Sequence, residues 1–592
     1  MARAERSAGE ASKREENLMS EELVNLIERL ALENAVAFKG VARAEAVLGK
    51  LLGMNPGLRS SVKELIPIIR DVTERVNRLT LEEQAELLRR LGVVEKTGKA
   101  LKQEPPSLPR AEVFPQVVLR FAPNPDGPLT LGNARPAVLC DYYAKRMNGK
   151  LILRFEDTSP SVKPPLKEAY DWIIEDLEWL GIHPDEIHYQ SDRLQTYYDY
   201  AEKFIERGFA YVCLCKPEEF RRFEKKGEPC PHRDQDPDLG LSLWEKMLNG
   251  GLNPGEAVVR VKTDMKHPNP AVRDWPALRI DVANHPRVAG FRVWPLYNWS
   301  CAIDDHEMRV SHVIRGKEHL TNEVRQSYVF KYLGSPPPVS IHIGRVRLEG
   351  SVLSKSRIMR GLAEGAYTGL DDPRLGTLKA LRRRGFKPEV VRRVVLEMGL
   401  NIAESTVKWE NLYAYNREAV DWEAERYYFV KNPFTMIVRS VPQQVEARLP
   451  RHPSRPELGS RIIFLKTSDG EARLFVSPED VENLAPGSRL RLMSLFNVEV
   501  EDVDPRSKTV KAFFKGLEVP EKSSGVKLIQ WVLPSDAVET RVVMPDASLT
   551  EGLGESTLTQ LNPGRIIQLV RFGFCRVEAV SKNVVNLVFS HP

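Results

Sequence analysis

The spacing of apolar residues changes character along the 592 residues of this chain, and this change is what most limits its fold. Up to about residue 100, apolar residues recur at the three- and four-residue steps of amphipathic helices. Between residues 117 and about 345, strand-like and helix-like segments alternate. From about Tyr427 onward, short β-rich runs are separated by Gly, Pro, Asp and Ser. A single hydrophobic core does not accommodate all three patterns, so we predict a protein of about four domains.

Composition and charge exclude several classes of protein. Apolar residues make up 42% and charged residues 28% of the chain, an ordinary globular balance that rules out wholesale disorder. The six cysteines are too few for a disulfide scaffold, and no uncharged apolar run is long enough to span a membrane. The formal net charge of +5 is too small to identify nucleic acid as a partner by itself. We therefore predict a cytosolic protein without a secretory signal or a membrane helix.

A βαβ pattern begins at about residue 117. The proline-rich stretch before it, residues 102–115, is predicted to be a linker. Residues 117–121 (VVLRF) are predicted to form a buried strand, and the turn-rich sequence APNPDGP leads to a helix from about Asn133 to Met147. Residues 151–155 then form a second strand of a parallel sheet. Backbone N–H groups at such a helix N-terminus suit a phosphate group, although an ordinary strand-to-helix connection has the same pattern.

Four segments, in order along the chain, resemble the signature motifs of class I aminoacyl-tRNA synthetases of the glutamyl and glutaminyl subfamily. Residues 120–135 (RFAPNPDGPLTLGNAR) resemble the nucleotide-binding "HIGH" loop, and residues 153–160 (LRFEDTSP) resemble the second-strand motif. Residues 294–320 resemble the amino-acid pocket, and residues 351–357 (SVLSKSR) resemble the mobile "KMSKS" loop. A further match after that loop, LDDPRLGTLKALRRRG, extends the resemblance to about residue 425.

This resemblance implies a multidomain α/β protein built around a Rossmann-like parallel-sheet catalytic core. It also implies three further parts: a helical N-terminal extension, a helical hairpin after the core and C-terminal antiparallel β-barrels. This combination resembles the archaeal type of glutamyl-tRNA synthetase. The predicted domains are a helical extension (1–101), the first half of the catalytic domain (116–210), an acceptor-binding insertion (211–275), the second half of the catalytic domain (276–360), a helical tRNA-contacting domain (361–425) and anticodon-binding β-barrels (426–592).

The resemblance assigns ATP binding to two loops and most of the catalysis to Lys355, whose ammonium group would stabilise phosphate charge. Thr130 and Asn133 occupy the positions of the two histidines of the family loop and are predicted to share in catalysis. Both can donate a hydrogen bond, but neither brings the positive charge of a histidine. The predicted ATP-binding residues are Pro123, Asn124, Pro125, Gly127, Thr130, Leu131, Gly132, Asn133, Leu353, Ser354, Lys355 and Ser356.

The amino-acid pocket favours glutamate over glutamine. Arg315 stands where glutamyl enzymes carry arginine and glutaminyl enzymes carry a small uncharged residue, and a buried cation beside an amide would be unpaired. By resemblance, the glutamate-binding residues are Arg120, Ala122, Glu156, Tyr297 and Arg315. The alternatives left open are a surface salt bridge of Arg315 with Asp304, Asp305 or Glu307, a core position for Tyr297, and a pair of Glu156 with Arg154.

Two close pairs of ligand residues predict a zinc site in the insertion. Cys213 and Cys215 are followed by Cys230 and His232, and four such ligands suit tetrahedral zinc. Some members of the resembled family carry a zinc knob in this region. Reduced cysteines near a loop are the alternative, because a C-x-C spacing is less specific than C-x-x-C.

Basic residues after the second loop are candidates for tRNA contact. Arg382, Arg383 and Arg384 begin a cluster on a helical hairpin, together with Lys387, Arg392 and Arg393. In the family context this hairpin would meet tRNA phosphates, whereas a solvated charged face is the plainer interpretation. In the C-terminal barrels, which would read unstacked anticodon bases, Arg439, Phe434 and Lys511 are named as candidate contacts.

The resemblance implies a ligase that uses ATP with Mg²⁺ to join L-glutamate to tRNA(Glu) through a glutamyl-adenylate. Several archaeal members also charge tRNA(Gln), so this second tRNA is a further candidate partner, and a monomer is favoured. The alternatives are a glutaminyl-tRNA synthetase and a catalytically impaired tRNA-binding paralogue, which the T-L-G-N sequence of the loop keeps open. A truncated tRNA-modifying glutamylation enzyme is disfavoured, because such enzymes lack the β-rich region that follows residue 426.

Overall fold

The computed structural model describes residues 23–36, 38, 40–54, 58, 61–90, 104–467, 469–521 and 525–592. The chain divides into two compact units, 1–102 and 103–592. None of the described helices is long and apolar enough to cross a membrane.

The first unit is helical, as its sequence predicts. Its helices cover residues 23–36, Ala44–Met54, Val62–Asn77 and Leu81–Arg90. Their apolar faces bury a common cluster that includes Ile27, Leu30, Leu51, Ile69 and Val72.

A five-stranded parallel sheet forms the centre of the second unit. Two strands lie on one side of the first strand in the chain, and the two later strands lie on its other side. The strand order therefore reverses between Val118–Phe121 and His312–Gly316, and ligands of such folds bind beyond the carboxyl ends of the strands at this switch point. In spatial order the strands are Glu186–Tyr189, Lys150–Phe155, Val118–Phe121, His312–Gly316 and Val339–Ile343.

Helices cover both faces of this sheet. The helix Leu131–Arg146 buries Ala134, Val138 and Tyr143 against the strands, which explains its apolar sequence. The other helices around the sheet are Ala169–Trp179, Leu194–Glu206, Tyr297–Glu307 and Leu320–Leu333.

The described part of the predicted linker packs against the catalytic core. Leu108 is buried in the core cluster, and the carbonyl oxygen of Pro106 accepts a hydrogen bond from Tyr143 at 2.7 Å. The carbonyl of Pro109 lies 2.9 Å from Nε2 of His312. The prediction of a linker is therefore wrong for residues 104–115, because their carbonyl groups and apolar side chains find partners on the sheet and on the helix Leu131–Arg146.

The insertion between the two halves of the core is a four-stranded antiparallel sheet with two helices, Pro217–Lys226 and Pro237–Asn249. This sheet continues beyond residue 275, the predicted end of the insertion. Its strands are Ala210–Cys213, Val258–Val261, Pro276–Ile280 and Val293–Pro295.

A helical region follows the core. It contains the helices Lys355–Ala363, Leu378–Arg383, Pro388–Met398 and Trp409–Val420, and a short parallel pair of strands, Val346–Leu348 and Ser405–Val407.

Two seven-stranded sheets form the C-terminal part. They confirm the predicted β-barrel fold class, but some strand pairs are parallel, for example Phe434–Arg439 with Thr509–Phe514. The proximal sheet contains, in spatial order, Lys527–Ile529, Arg489–Leu492, Asn497–Asp504, Thr509–Phe514, Phe434–Arg439, Ala472–Val476 and Trp531–Val532. The distal sheet contains Glu425–Tyr427, Ile566–Leu569, Gly573–Val580, Val584–His591, Ala537–Val543, Leu549–Glu555 and Phe429–Lys431. A separate hairpin pairs Gln444–Pro450 with Ser460–Lys466.

Candidate active site

The loop after the first strand ends in a capped helix. Thr130 precedes the helix Leu131–Arg146, and both its backbone N–H and its hydroxyl donate to Oδ1 of Asn133, at 3.2 Å and 3.0 Å. The side chain of Thr130 in turn accepts from the backbone N–H of Asn133, so the two residues form a capping box that satisfies donors at the start of the helix. Thr130 is buried and its only hydroxyl proton is used within the chain, whereas no described residue accepts from the amide NH₂ of Asn133.

A segment that we call the strap, residues 370–377, joins the two predicted nucleotide loops. The N–H of Leu131 donates to Gly376 O at 3.0 Å, and the N–H of Gly376 donates to Val352 O at 3.3 Å. Leu378, the first residue of the next helix, donates to Leu129 O at 3.0 Å. The start of the helix and the loop that contains Lys355 are therefore held at one place by the same stretch of backbone.

Lys355 points into the nucleotide loop. Its ammonium group donates to Asn124 O at 2.9 Å and to Oδ1 of Asp126 at 3.2 Å. Burial lowers the pKa of Lys355, and the nearby carboxylate of Asp126 opposes that effect. Beside it, Ser354 and Ser356 are exposed, with their hydroxyl oxygens 3.2 Å apart. The structure thus brings the side chain of Lys355 to the loop that the sequence assigns to ATP.

The predicted amino-acid pocket lies where the strand order of the parallel sheet reverses. Arg120 and Arg315 come from neighbouring strands and are both buried, and Ala122 follows the end of the first strand. Nε of Arg120 donates to Asp305 at 3.4 Å, and no described residue accepts from its two terminal nitrogens. Asp305 therefore orients the guanidinium of Arg120 through Nε, and the two terminal nitrogens remain available to a carboxylate.

Arg315 makes only neutral contacts among the described residues. Its guanidinium donates to Gln326 at 2.8 Å and to Ser340 at 3.3 Å, and its buried Nε has no partner. The salt bridge that we considered as an alternative is absent from the described part of the chain. Asp304 instead accepts from other side chains, namely Arg193, Gln190 and Tyr197. Arg315 is thus a buried cation that no described carboxylate contacts, which points to a negatively charged ligand.

Glu156 is held from two sides. Its Oε1 accepts from Arg154 at 3.3 Å and from the thiol of Cys301 at 3.0 Å. The pair of Glu156 with Arg154, considered above as an alternative, is therefore present. Arg154 also donates to Asp305 at 2.6 Å, so one buried guanidinium connects both ends of the pocket. Burial acts to raise the pKa of Asp305, but Arg154 and Arg120 outweigh it and hold this pKa below its usual value.

His319 lies beside the predicted amino-acid pocket and was not among the residues predicted from the sequence. Its ring lies 5.1 Å from the ring of Tyr297, at the start of the helix Tyr297–Glu307. Burial, with a contribution from Arg315, lowers the pKa of His319 to about 4, so the ring is neutral at pH 7. The signal was present in the sequence, because His319 lies four residues after Arg315 within the pocket motif.

The four predicted metal ligands converge. Their ligand atoms all lie within 4.8 Å of one another, with 3.9 Å between the sulfurs of Cys213 and Cys230 and 3.4 Å between Cys215 Sγ and His232 Nδ1. Tetrahedral zinc with Zn–S bonds of about 2.3 Å places two sulfurs about 3.8 Å apart. The spacing and the chemistry of these ligands therefore fit zinc.

Comparisons with known proteins agree with this geometry. A family model described as "tRNA synthetases class I (E and Q), catalytic domain" matches residues 116–422, and two "anti-codon binding domain" models match 424–515 and 528–578. The chain is 48% identical to the glutamate–tRNA ligase of Pyrococcus furiosus, over 96% of this chain and 100% of the relative. The corresponding ligase of Methanocaldococcus jannaschii is 44% identical, over 95% of this chain and 99% of the relative.

The chain belongs to the class I tRNA synthetases of the E and Q group. This confirms the predicted family, its archaeal glutamyl type and its ligase class. Among solved structures, a glutamate tRNA ligase from Elizabethkingia meningosepticum in complex with its amino acid is similar to 52% of this chain and 70% of that chain, with 22% identity and a TM-score of 0.39.

Much of the basic cluster of this synthetase is engaged in contacts within the chain. Arg384 is 1% exposed, lies 4.3 Å from the ring of Trp409 and donates to Ser590 O at 2.9 Å. The prediction that Arg384 contacts tRNA is therefore wrong, because a phosphate cannot reach it. Arg383 donates to Glu578 at 2.6 Å, whereas Arg382 is exposed. Two further members of the cluster form ion pairs, Arg392 with Asp141 and Arg393 with Glu418.

Of the three residues predicted to contact anticodon bases, one is buried and two are exposed. Phe434 is buried in the core of the proximal barrel, so its assignment as a base contact is wrong. Arg439 and Lys511 are exposed on neighbouring strands, where the assignment stays a prediction.

Proposed function

We propose that this synthetase joins L-glutamate to tRNA(Glu) in two steps. Glutamate first attacks the α-phosphate of ATP, which gives glutamyl-adenylate and releases pyrophosphate. The glutamyl group then passes to the terminal ribose of the tRNA, and AMP is released. The observation that carries the choice of glutamate is the pair Arg120 and Arg315, two buried guanidinium groups with donors left for a carboxylate.

The pocket favours glutamate over glutamine on electrostatic grounds. A side-chain carboxylate compensates the charge of Arg315, which has no acidic partner among the described residues. The amide of glutamine would leave that charge buried and unpaired, and discrimination built on an unsatisfied polar group is strong. Glu156, held by Arg154 and Cys301, is proposed to accept from the α-amino group.

ATP is proposed to lie across the nucleotide loop, with its phosphates near the N-terminus of the helix Leu131–Arg146. The helix N-terminus and the amide of Asn133 supply donors, and Lys355 supplies the positive charge. Thr130 is proposed to contribute as the cap of this helix. Mg²⁺ accompanies ATP and neutralises phosphate charge. Catalysis then consists of positioning and charge stabilisation, without a covalent nucleophile from the protein.

The test is aminoacylation of tRNA(Glu) and tRNA(Gln) transcripts with labelled glutamate and labelled glutamine. We expect glutamate to be attached to tRNA(Glu) and glutamine to be rejected by both transcripts. Charging of tRNA(Gln) with glutamate would support the prediction that this tRNA is a second substrate. No charging of either transcript would instead favour a catalytically impaired tRNA-binding protein.

Lys355→Ala tests the assignment of catalysis, with tRNA present throughout. We expect pyrophosphate exchange to fall by about 100-fold or more while glutamate binding is retained, because removal of a preorganised charge acts on the transition state. Near-normal exchange would contradict this role. The matched control is Ser356→Ala in the same loop, which we expect to have a much smaller effect.

We also propose that Cys213, Cys215, Cys230 and His232 hold a structural zinc ion. The convergence of three sulfurs and one imidazole nitrogen within 4.8 Å supports this assignment. We expect about one equivalent of zinc in the purified protein and a lower melting temperature for Cys230→Ser. Less than half an equivalent of zinc, without loss of stability in the variant, would contradict the proposal.

The monomeric state and the cytosolic location stay predictions. Sedimentation measures the oligomeric state.

A further inference from the structure

The helix Leu320–Leu333 brings the side chain of Gln326 to the guanidinium of Arg315. Gln326 is 5% exposed, and its Oε1 accepts from this guanidinium at 2.8 Å. Ser340, on the neighbouring strand Val339–Ile343, accepts from the same guanidinium at 3.3 Å. Both acceptors are uncharged, so they orient the guanidinium without compensating its charge. A buried cation of this kind destabilises the folded chain until an anion binds beside it.

Carboxylates near Arg315 are engaged elsewhere. Glu323, on the same helix as Gln326, lies 3.7 Å from Nδ1 of His342. Asp305 accepts from two other buried arginines, at 2.6 Å and 3.4 Å. Neither carboxylate forms an ion pair with Arg315 in the described part of the chain. The side chain at position 326 therefore determines whether Arg315 has an anionic partner within the protein.

The amide of Gln326 distinguishes this contact from an ordinary buried ion pair. Its oxygen must face Arg315, because a guanidinium has donors and no acceptor. Its Nε2, on the other side, has no hydrogen-bond partner among the residues that the structure describes. A glutamate here would have the same shape, would lose no hydrogen bond and would form a charge-assisted contact with Arg315. The amide therefore forgoes an interaction that a carboxylate would make.

We propose that Gln326 is a specificity-determining residue, whose uncharged amide positions Arg315 and keeps its charge available to the side-chain carboxylate of the substrate. Gln326 is a positioning residue, because it acts through Arg315. The proposal rests on the proposed function for glutamate as the substrate, and it names the residue that maintains the choice between glutamate and glutamine. Specificity is a difference between two affinities, so a charge left unpaired by the wrong substrate contributes to it directly.

Gln326→Glu tests the proposal in steady-state charging of a tRNA(Glu) transcript with labelled glutamate and labelled glutamine. The new carboxylate pairs with Arg315, so we expect kcat/KM for glutamate to fall about 30- to 100-fold, the size of a lost contact to a charged group. We expect kcat/KM for glutamine to rise about tenfold, because its amide no longer leaves the charge of Arg315 unpaired. Damage to the fold does not produce a gain for the wrong substrate.

Gln326→Met is the matched variant, with a similar shape and no charge. It removes the acceptor that orients Arg315, so we expect the KM for glutamate to rise about 5- to 20-fold while kcat changes little. Glutamine should remain rejected, because the charge of Arg315 is still without a partner in the protein. In an Arg315→Gln background the same substitution should have little further effect on glutamate binding, since Gln326 acts through Arg315.

Gln530→Glu controls for the effect of burying an acid. Gln530 is also 5% exposed, but its amide contacts the backbone of Phe429 in the barrel region. We expect this variant to lose stability and to keep the preference of the unmodified chain for glutamate over glutamine. Calorimetric binding of glutamate and of glutamine to every variant, without ATP or tRNA, repeats the comparison in the absence of chemistry.

Three outcomes overturn the proposal. One is a preference for glutamate over glutamine in Gln326→Glu within about threefold of that of the unmodified chain. Another is an equal change of this preference in Gln530→Glu. The third is an undiminished effect of Gln326→Met when Arg315 is already replaced, and this cycle also decides the matter if Gln326→Glu does not fold. A chain that binds glutamate but charges no tRNA would contradict the proposed function, and the binding measurements would still decide the role of Gln326.

Discussion

Asp305 connects the residues proposed to bind the two ends of glutamate. Its carboxylate accepts from Arg154 at 2.6 Å and from Arg120 at 3.4 Å, and Arg154 also reaches Glu156 at 3.3 Å. Buried ion pairs of this kind add little net stability, but losing one partner leaves an uncompensated charge. The main effect of these ion pairs is therefore to hold the side chains of Arg120 and Glu156 at a fixed separation.

Arg315→Gln tests the source of specificity. We expect the KM for glutamate to rise by about 100-fold, because one charge-assisted contact to the side-chain carboxylate is lost. The KM for ATP should stay within about twofold, since Arg315 is proposed to contact glutamate and not ATP. Steady-state kinetics with both substrates measures this. An equal rise in both constants would indicate a general loss of structure instead.

Asp126→Asn tests the contact between the two nucleotide loops. The carboxylate of Asp126 binds the ammonium of Lys355 at 3.2 Å and would also repel the phosphates of ATP. Removing its charge should therefore lower the KM for ATP by about 3- to 10-fold, which corresponds to roughly 1 kcal/mol. Asp126→Glu keeps the charge and serves as the control. A higher KM for ATP in the asparagine variant would contradict this account.

At the scale of elements, the helix Ala169–Trp179 places a carboxyl group under the nucleotide loop. Oδ2 of Asp176 accepts from the N–H of Leu129 at 3.2 Å. Burial raises the pKa of Asp176 to about 7, although Lys379 acts in the opposite direction. The side chain therefore takes up a proton on folding over much of the range between pH 4 and 7, which links the stability of this loop to pH.

Asp176→Asn should remove this pH dependence. Because the pKa is raised in the folded state, the folded form is favoured at low pH, and stability is lost as the pH rises from about 4 to 7. The loss amounts to roughly 4 kcal/mol over that range. The variant should therefore gain in melting temperature relative to the unmodified chain between pH 5 and 7, with no further change above pH 8. A constant difference across this range would contradict the account.

The elements that follow from local sequence were predicted well. The strand predicted at 117–121 is observed as Val118–Phe121, and the helix predicted from about Asn133 is observed as Leu131–Arg146. The convergence of the cysteines was also predictable, because their pairs lie close together in the sequence. The burial of Arg384 was not, since Trp409 and Ser590 are distant in the chain. A run of arginines does not distinguish exposed charges from those that join two domains.

At the scale of the whole second unit, arginines connect the helical region to the distal barrel. Arg383 pairs with Glu578 at 2.6 Å, and Arg384 donates to Ser590 O at 2.9 Å. Both acceptors belong to strands of the distal sheet. The basic cluster therefore holds two domains together, and only part of it is exposed to a tRNA.

Arg384→Ala and Arg382→Ala should separate these two roles. Loss of Arg384 leaves buried acceptors without a donor and an empty space over Trp409, so we expect a destabilisation of about 3 kcal/mol. Loss of the exposed Arg382 should leave the melting temperature unchanged and weaken tRNA binding by about fivefold. Thermal melting and filter binding of both variants measure this. A stable Arg384→Ala variant with weakened tRNA binding would contradict the assignment.

The strap gives the synthetase a thermodynamic property as well as a geometric one. It pairs with the nucleotide loop at one end and continues directly into the helix Leu378–Arg383, which carries Arg383 to the distal barrel. Two binding regions are thus joined by one continuous stretch of backbone. Bound tRNA changes the affinity for ATP by some factor. Thermodynamic linkage requires that bound ATP changes the affinity for tRNA by the same factor. Variants in the strap should change both factors together and by the same amount.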